Sequence, residues 1–181
     1  MTDKTKDIAR VSTSLRRWLP WMISGLTLMA DQITKALVLA RFGVGESLPL
    51  LPPLVYFTHV QNTGAAFGLF KHQRYIFISV SLVVMVWLFR QFLARFPRSM
   101  ALVWSYALVL GGTVGNMIDR LRFGYVVDFI DVRVWPFVFN VGDSAITIGV
   151  TLLLWYSLIV TPGMERRQKA EGRGQRPDAN A

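Results

Sequence analysis

"MALVWSYALVLGGTVGNMIDRLRFGYVVDFIDV", residues 100–132, opens with 19 residues that carry no charge and then delivers Asp119, Arg120, Arg122, Asp128 and Asp131. An uncharged run of that length is close to the ~20 residues an α-helix needs to cross ~30 Å of hydrocarbon. The carboxylates therefore begin where such a helix reaches the lipid–water boundary. Farther on, in "FNVGDSAITIGV" (residues 139–150), Asp143 stands at the head of another apolar run. Ionisable groups so close to membrane helices are costly, and they mark either function or mutual support.

Outward from this stretch the pattern recurs over Trp18–Ala40, Tyr75–Leu93 and Phe137–Val160. Four transmembrane helices are predicted. Arg90 and Gln91 interrupt the end of the second run, where the arginine can snorkel to the interface. The 181-residue chain is 52% hydrophobic with a mean hydropathy of +0.39, which belongs to the membrane class and suffices for one small bundle. Trp18–Ala30 follows Arg16-Arg17 as a secretory signal would. Leu28 is unsuitable at −3 for a cut after Ala30, and the run continues past Asp31, so an uncleaved first helix is expected.

The net charge of +9 does not indicate nucleic-acid binding, because the basic residues lie in tails and turns rather than on a folded polar face. Of the Lys and Arg residues, 13 fall in the two termini and the second inter-helix turn, against 6 on the opposite side. The positive-inside rule then predicts cytoplasmic termini, with segments 41–74 and 119–136 facing outward. The expected organisation is a basic tail over 1–17, a membrane domain over 18–160 and a polar, disordered tail over 161–181, near anionic headgroups. Segment 41–74 mixes prolines, a β-prone stretch Leu54–Val60 and a Gly/Ala/Phe-rich stretch. It is too short and broken to span, and reads as strands or a small platform on the outer interface.

Without cysteine there is no disulfide, thiolate metal site or cysteine nucleophile. The two histidines, His59 and His72, both lie in 41–74, and no G-x-S-x-G elbow is present, which disfavours a serine triad. Asp31 and Lys35 share a helix face and read as a neutralising pair that supports a polar site. Asn62-Thr63-Gly64 is a turn signal whose Asn side chain could also hold a peptide backbone. Around Gly112, Gly111 and Gly115 form a GxxxG spacing that admits a close helix neighbour. Asn116 and Arg120 share a face at the outer end of this helix, and Asp119–Arg120 reads either as a solvated pair or as part of the site.

Asp128, flanked by Val126, Val127, Phe129 and Ile130, is poorly explained as a solvated loop residue. Asp143, behind Asn140, fits a helix cap as well as a site. The distance between them in sequence allows a re-entrant loop to bring the two carboxylates face to face. Such a pair suits an aspartic-protease dyad sharing one proton, or a divalent metal site acting on a lipid phosphate. A non-catalytic channel or assembly subunit with a buried polar network is the third reading.

The blocks "DQITK", "QNTGAAFG", "GNMIDR", "VVDFI" and "FNVGDSAITIG", in this order and spacing, resemble the lipoprotein signal peptidase (signal peptidase II) family from about residue 18 to residue 160. The resemblance implies an all-α membrane fold of four helices with a small extracytoplasmic β-cradle and a short interfacial helix. It implies an aspartic endopeptidase of the bacterial inner membrane that cuts prolipoproteins before a diacylglyceryl-modified cysteine. Asp128 and Asp143 match the family's catalytic pair. Asp31, Lys35, Asn62, Gly64, Gly112, Asn116, Asp119, Arg120 and Asn140 match positions that bind substrate or support the site. Implied partners are prolipoproteins, membrane lipids and peptide inhibitors of the globomycin type, with no metal, cofactor or nucleic acid. Gly142 departs from the family, which more often has Ala before the second aspartate.

Overall fold

The computed structural model describes residues 3–64, 73–94, 97 and 99–163. Its helices are α1 (Asp3–Arg41), α2 (Arg74–Ala94), α3 (Met100–Arg122) and α4 (Val141–Trp155), the last continued by a π-helical turn over Tyr156–Val160. Strands β1 (Ser47–Leu51), β2 (Val55–Asn62), β3 (Val126–Val132) and β4 (Val138–Phe139) form one antiparallel sheet in the order β1-β2-β3-β4. Arg17–Arg41, Arg74–Leu93, Met100–Arg122 and Val141–Gly163 are long and apolar enough to cross a membrane. The chain is a multi-pass membrane protein. The basic N-terminal segment continues the first helix from Asp3. The short interfacial helix expected in the Gly/Ala/Phe-rich stretch, and the C-terminal tail from 164, lie outside the described residues.

The polarity of α1 is reversed relative to a soluble helix. Met22, Leu26, Met29, Ile33 and Leu37 form an exposed stripe, while Ser24, Asp31, Lys35 and Val38 are buried. Spacings of three and four residues keep each set on one face. Lipid accepts the apolar stripe, so the polar face must find its partners within the protein.

Those partners are reached through α3, the central helix: 56% of its span is buried, against 11–28% for the others. Small residues allow the approach. A Cβ on Gly111 would lie 2.6 Å from the Ser24 carbonyl oxygen, and one on Gly115 would collide with the Asp31 carboxylate. Both GxxxG glycines therefore face α1. Gly112 faces α4, where an added Cβ would strike the Gly142 carbonyl. The buried positions of α4 are Gly142, Ala145 and Gly149. Two hydroxyls tie these seams, Ser24 Oγ donating to the Ala107 carbonyl at 2.9 Å and Ser105 Oγ to Gly149 at 2.7 Å. On the remaining side, Leu88 and Phe92 of α2 pack with Val109 and Leu110 of α3.

The β-prone stretch becomes β2, whose register with β3 sets Val60 opposite Asp128 and Asn62 opposite Val126. Two expectations change in detail. The fourth apolar run starts at Phe137, yet its helix starts at Val141, because Val138 and Phe139 pair with β3 and Asn140 is the extended N-cap. The connection from Asp128 to Asp143 is thus a β-hairpin leading into a helix, not a re-entrant loop. Strand pairing satisfies backbone groups that a buried irregular loop would leave bare.

Candidate active site

Three asparagines organise the end of the bundle that carries the sheet. Each has its side-chain oxygen fixed by a group that can only donate. Asn62 Oδ1 accepts from Gly64 N at 3.0 Å, Asn116 Oδ1 from Lys35 Nζ at 2.8 Å, and Asn140 Oδ1 from Asp143 N at 2.8 Å. The NH₂ groups must then point the other way. Asn62 Nδ2 donates to Asp128 Oδ2 at 2.8 Å, Asn140 Nδ2 to Asp128 Oδ1 at 2.6 Å, and Asn116 Nδ2 to Asp143 Oδ1 at 2.8 Å. Asn140 N completes the set with Asp143 Oδ2 at 3.3 Å. Every oxygen of Asp128 and Asp143 therefore receives an N–H. Asn140 links the two residues, being N-cap of α4 with Asp143 at N3 of a reciprocal capping box. Capping and membership of this network are not alternatives for Asp143, since the cap is what aims its carboxylate toward Asn116.

Asp128 is 1% exposed at the centre of β3. Burial lifts its carboxyl from an ordinary 3.8 to about 7. The charge on Asp143 adds to the rise, and the amides of Asn62 and Asn140, then Lys35, oppose it. A carboxylic acid that stays protonated near neutrality, beside a second carboxylate, can donate a proton while its neighbour accepts one.

Beneath this pair lies a second one. Lys35 Nζ is 2.8 Å from Asp31 Oδ2 and 2.9 Å from Asp119 Oδ2, with all three side chains buried. Asp31 Oδ1 also accepts from Gly142 N at 2.8 Å, filling the N2 donor of α4 from across the bundle. Asp119 Oδ2 accepts from Val127 N at 3.1 Å, which pins the start of β3 next to Asp128. Asp119 is thus no solvated partner of Arg120, because the ammonium of Lys35 claims it. Arg120 lies over the Phe77 ring at 4.7 Å and donates to the Asn116 carbonyl at 3.4 Å. Gly112 serves through helix packing, and Gly64 through its N–H to Asn62.

Gln32 escaped the sequence reading. Its Nε2 donates toward Asp31 Oδ2 (3.2 Å), the Gly115 carbonyl (3.2 Å) and Asp119 Oδ1 (3.1 Å). One polar residue inside a quoted motif gives no hint of which helix it will bridge to. Among the described residues, no group of three or more His, Cys, Asp or Glu side chains is placed to hold a metal ion.

The family profile for signal peptidase (SPase) II matches residues 23–159. A lipoprotein signal peptidase from Pelotomaculum thermopropionicum is 43% identical over 135 residues, covering 75% of this chain and 88% of that one. Another, from Moorella thermoacetica, is 41% identical over 151 residues, covering 83% and 99%. A bacterial membrane enzyme solved by the in meso method superposes with a TM-score of 0.73 at 30% identity, over 77% of this chain and 87% of that one. A profile match from Ile23 to Ile159 runs through every block of the asparagine network, and the chain belongs to the signal peptidase II family.

Proposed function

We propose that the chain is an aspartic endopeptidase that removes signal peptides from diacylglyceryl-modified prolipoproteins, cutting before the lipidated cysteine. The observation that carries this reading is the pair of the buried Asp128 and the half-buried Asp143, held by amide donors and sharing a hydrogen-bonding partner in Asn140. One aspartate takes a proton from water as the water oxygen bonds to the scissile carbonyl carbon. The other gives its proton to the carbonyl oxygen, forming a neutral gem-diol. When the C–N bond breaks, the first aspartate returns its proton to the leaving nitrogen and a gem-diol hydroxyl reprotonates the second. No acyl-enzyme forms.

The rival metal-dependent reading is weakened by the donor set. A hard divalent cation needs free oxygen ligands, whereas amide N–H groups point at all four carboxylate oxygens. Asp31, Lys35, Asn62, Asn116, Asp119, Arg120 and Asn140 are read as supporting the site or holding the substrate backbone. The anchor of the substrate, lying in lipid between helices, supplies much of the recognition. The lysine and arginine distribution supports cytoplasmic termini in a bacterial inner membrane, with the site near the periplasmic face. Reporter fusions at residues 60 and 130 should read outside, and one at 170 inside.

The test is to incubate the purified full chain with a diacylglyceryl-modified prolipoprotein in EDTA. A shortened product beginning at the lipidated cysteine is expected. No product, or a product seen only when Mg²⁺ or Zn²⁺ is restored, would overturn the reading.

A further inference from the structure

The two aspartates receive the same number of donors, although Asp128 is buried and Asp143 only half-buried, and what stands behind those donors divides their labour. Asp143 occupies the first turn of α4, where the aligned peptide dipoles favour a negative charge. Its amide partner Asn116 is itself held by the Lys35 ammonium. That puts one polarised amide between a full positive charge and Asp143 Oδ1. Asp128 sits in a strand, which has little net dipole. Its donors Asn62 and Asn140 are oriented by the backbone N–H groups of Gly64 and Asp143 rather than directly by a cation.

Among the described residues, the remaining charged groups facing the pair are Asp31 and Lys35 from α1 and Asp119 and Arg120 from α3. Lys35 is bound directly by Asp31 and Asp119. Among the described residues this region therefore holds four carboxylates against two cations, an excess that one resident proton reduces. We infer that this proton rests on Asp128, and that Asp143 carries the charge and is the base that activates water. Asp128 is then the acid that protonates the scissile carbonyl oxygen. The burial-driven rise at Asp128 agrees with this placement. The assignment rests on the dyad reading above, but it is tested on the resting protein as well as in turnover.

Epoxide reagents alkylate ionised carboxylates, and copper-activated diazoacetyl esters react with protonated ones. The purified chain at about pH 6 is treated with each reagent and the adducts are mapped by peptide mass spectrometry. The epoxide is expected on Asp143 and the diazoacetyl ester on Asp128. The reverse pattern, or both adducts on one residue, would overturn the assignment whether or not the protein cleaves prolipoprotein. A second measurement uses Asn62→Ala, which removes a donor that touches Asp128 alone of the pair. It should move the alkaline limb of the kcat/KM profile upward by about one pH unit and leave the acid limb in place. Movement of the acid limb instead would make Asp128 the base.

Discussion

Two pairs of aspartates lie at one end of this bundle, three of the four side chains buried and Asp143 half-buried, and the pairs differ in what stands opposite them. Asp31 and Asp119 grip one ammonium, Lys35, at 2.8 and 2.9 Å. Among the described residues, Asp128 and Asp143 have only amide N–H groups as direct partners. An ammonium in contact fixes a carboxylate as a charged strut. A neutral amide orients a carboxylate without committing its protonation state. Under the proposed function, the same residue type is structural in one pair and transfers protons in the other.

The comparison breaks first at Lys35. Lys35→Met should leave Asp31 and Asp119 facing each other without a counter-charge, costing about 3–5 kcal/mol. A melt in detergent at neutral pH should show that loss, whereas a near-parental Tm would mean the lysine is no keystone. Cleavage should also fall, because Asn116 loses the group that orients it.

A smaller effect should come from pH. The Asp128 carboxyl is raised to about 7 in the folded chain, so between roughly pH 4 and 7 the native state holds a proton that the unfolded state lacks. Its contribution to stability is complete below the unfolded value and is lost as pH rises through the folded one. Tm should decline from about pH 5 to about pH 7, and Asp128→Asn should flatten that decline. A slope that persists unchanged in the variant would assign it elsewhere.

The smallest effect is expected at Gly142, where a Cβ would meet Asn140 Oδ1, Asp31 Oδ1 and the Gly112 carbonyl oxygen, each at 3.1 Å. Gly142→Ala gains helix propensity and pushes these neighbours by a few tenths of an ångström, so its net effect on stability should stay within about 1 kcal/mol. A larger loss would show the α1–α4 seam to be tighter than the asparagine network requires.

Much of this was legible in the sequence, for reasons that can be named. Uncharged runs of membrane length leave few alternatives to helices, and the β-prone Leu54–Val60 did become β2. Gly111 and Gly115 announced a close helix contact. What sequence did not disclose was pairing across the fold. Asp119 next to Arg120 looks like a surface pair until Lys35, 84 positions away, takes it. Asn140 reads as one more polar residue before a helix, yet it is at once the cap of α4, a donor to Asp128 and a partner of Asn116. The hairpin into α4 was missed because Phe137–Phe139 is as apolar as the helix that follows it.

The most direct test of the contrast between the pairs is to measure cleavage of a lipidated prolipoprotein and thermal stability for Asp128→Asn and Asp143→Asn. Asn keeps the shape of Asp but can neither ionise nor deliver a carboxylic proton. Each variant should lose cleavage by at least about 10³-fold. Its Tm should stay the same or rise, because Asp128→Asn removes a carboxyl that burial forces to hold a proton and Asp143→Asn removes a poorly solvated charge. Substantial turnover by either variant would remove that residue from the chemistry and contradict the account.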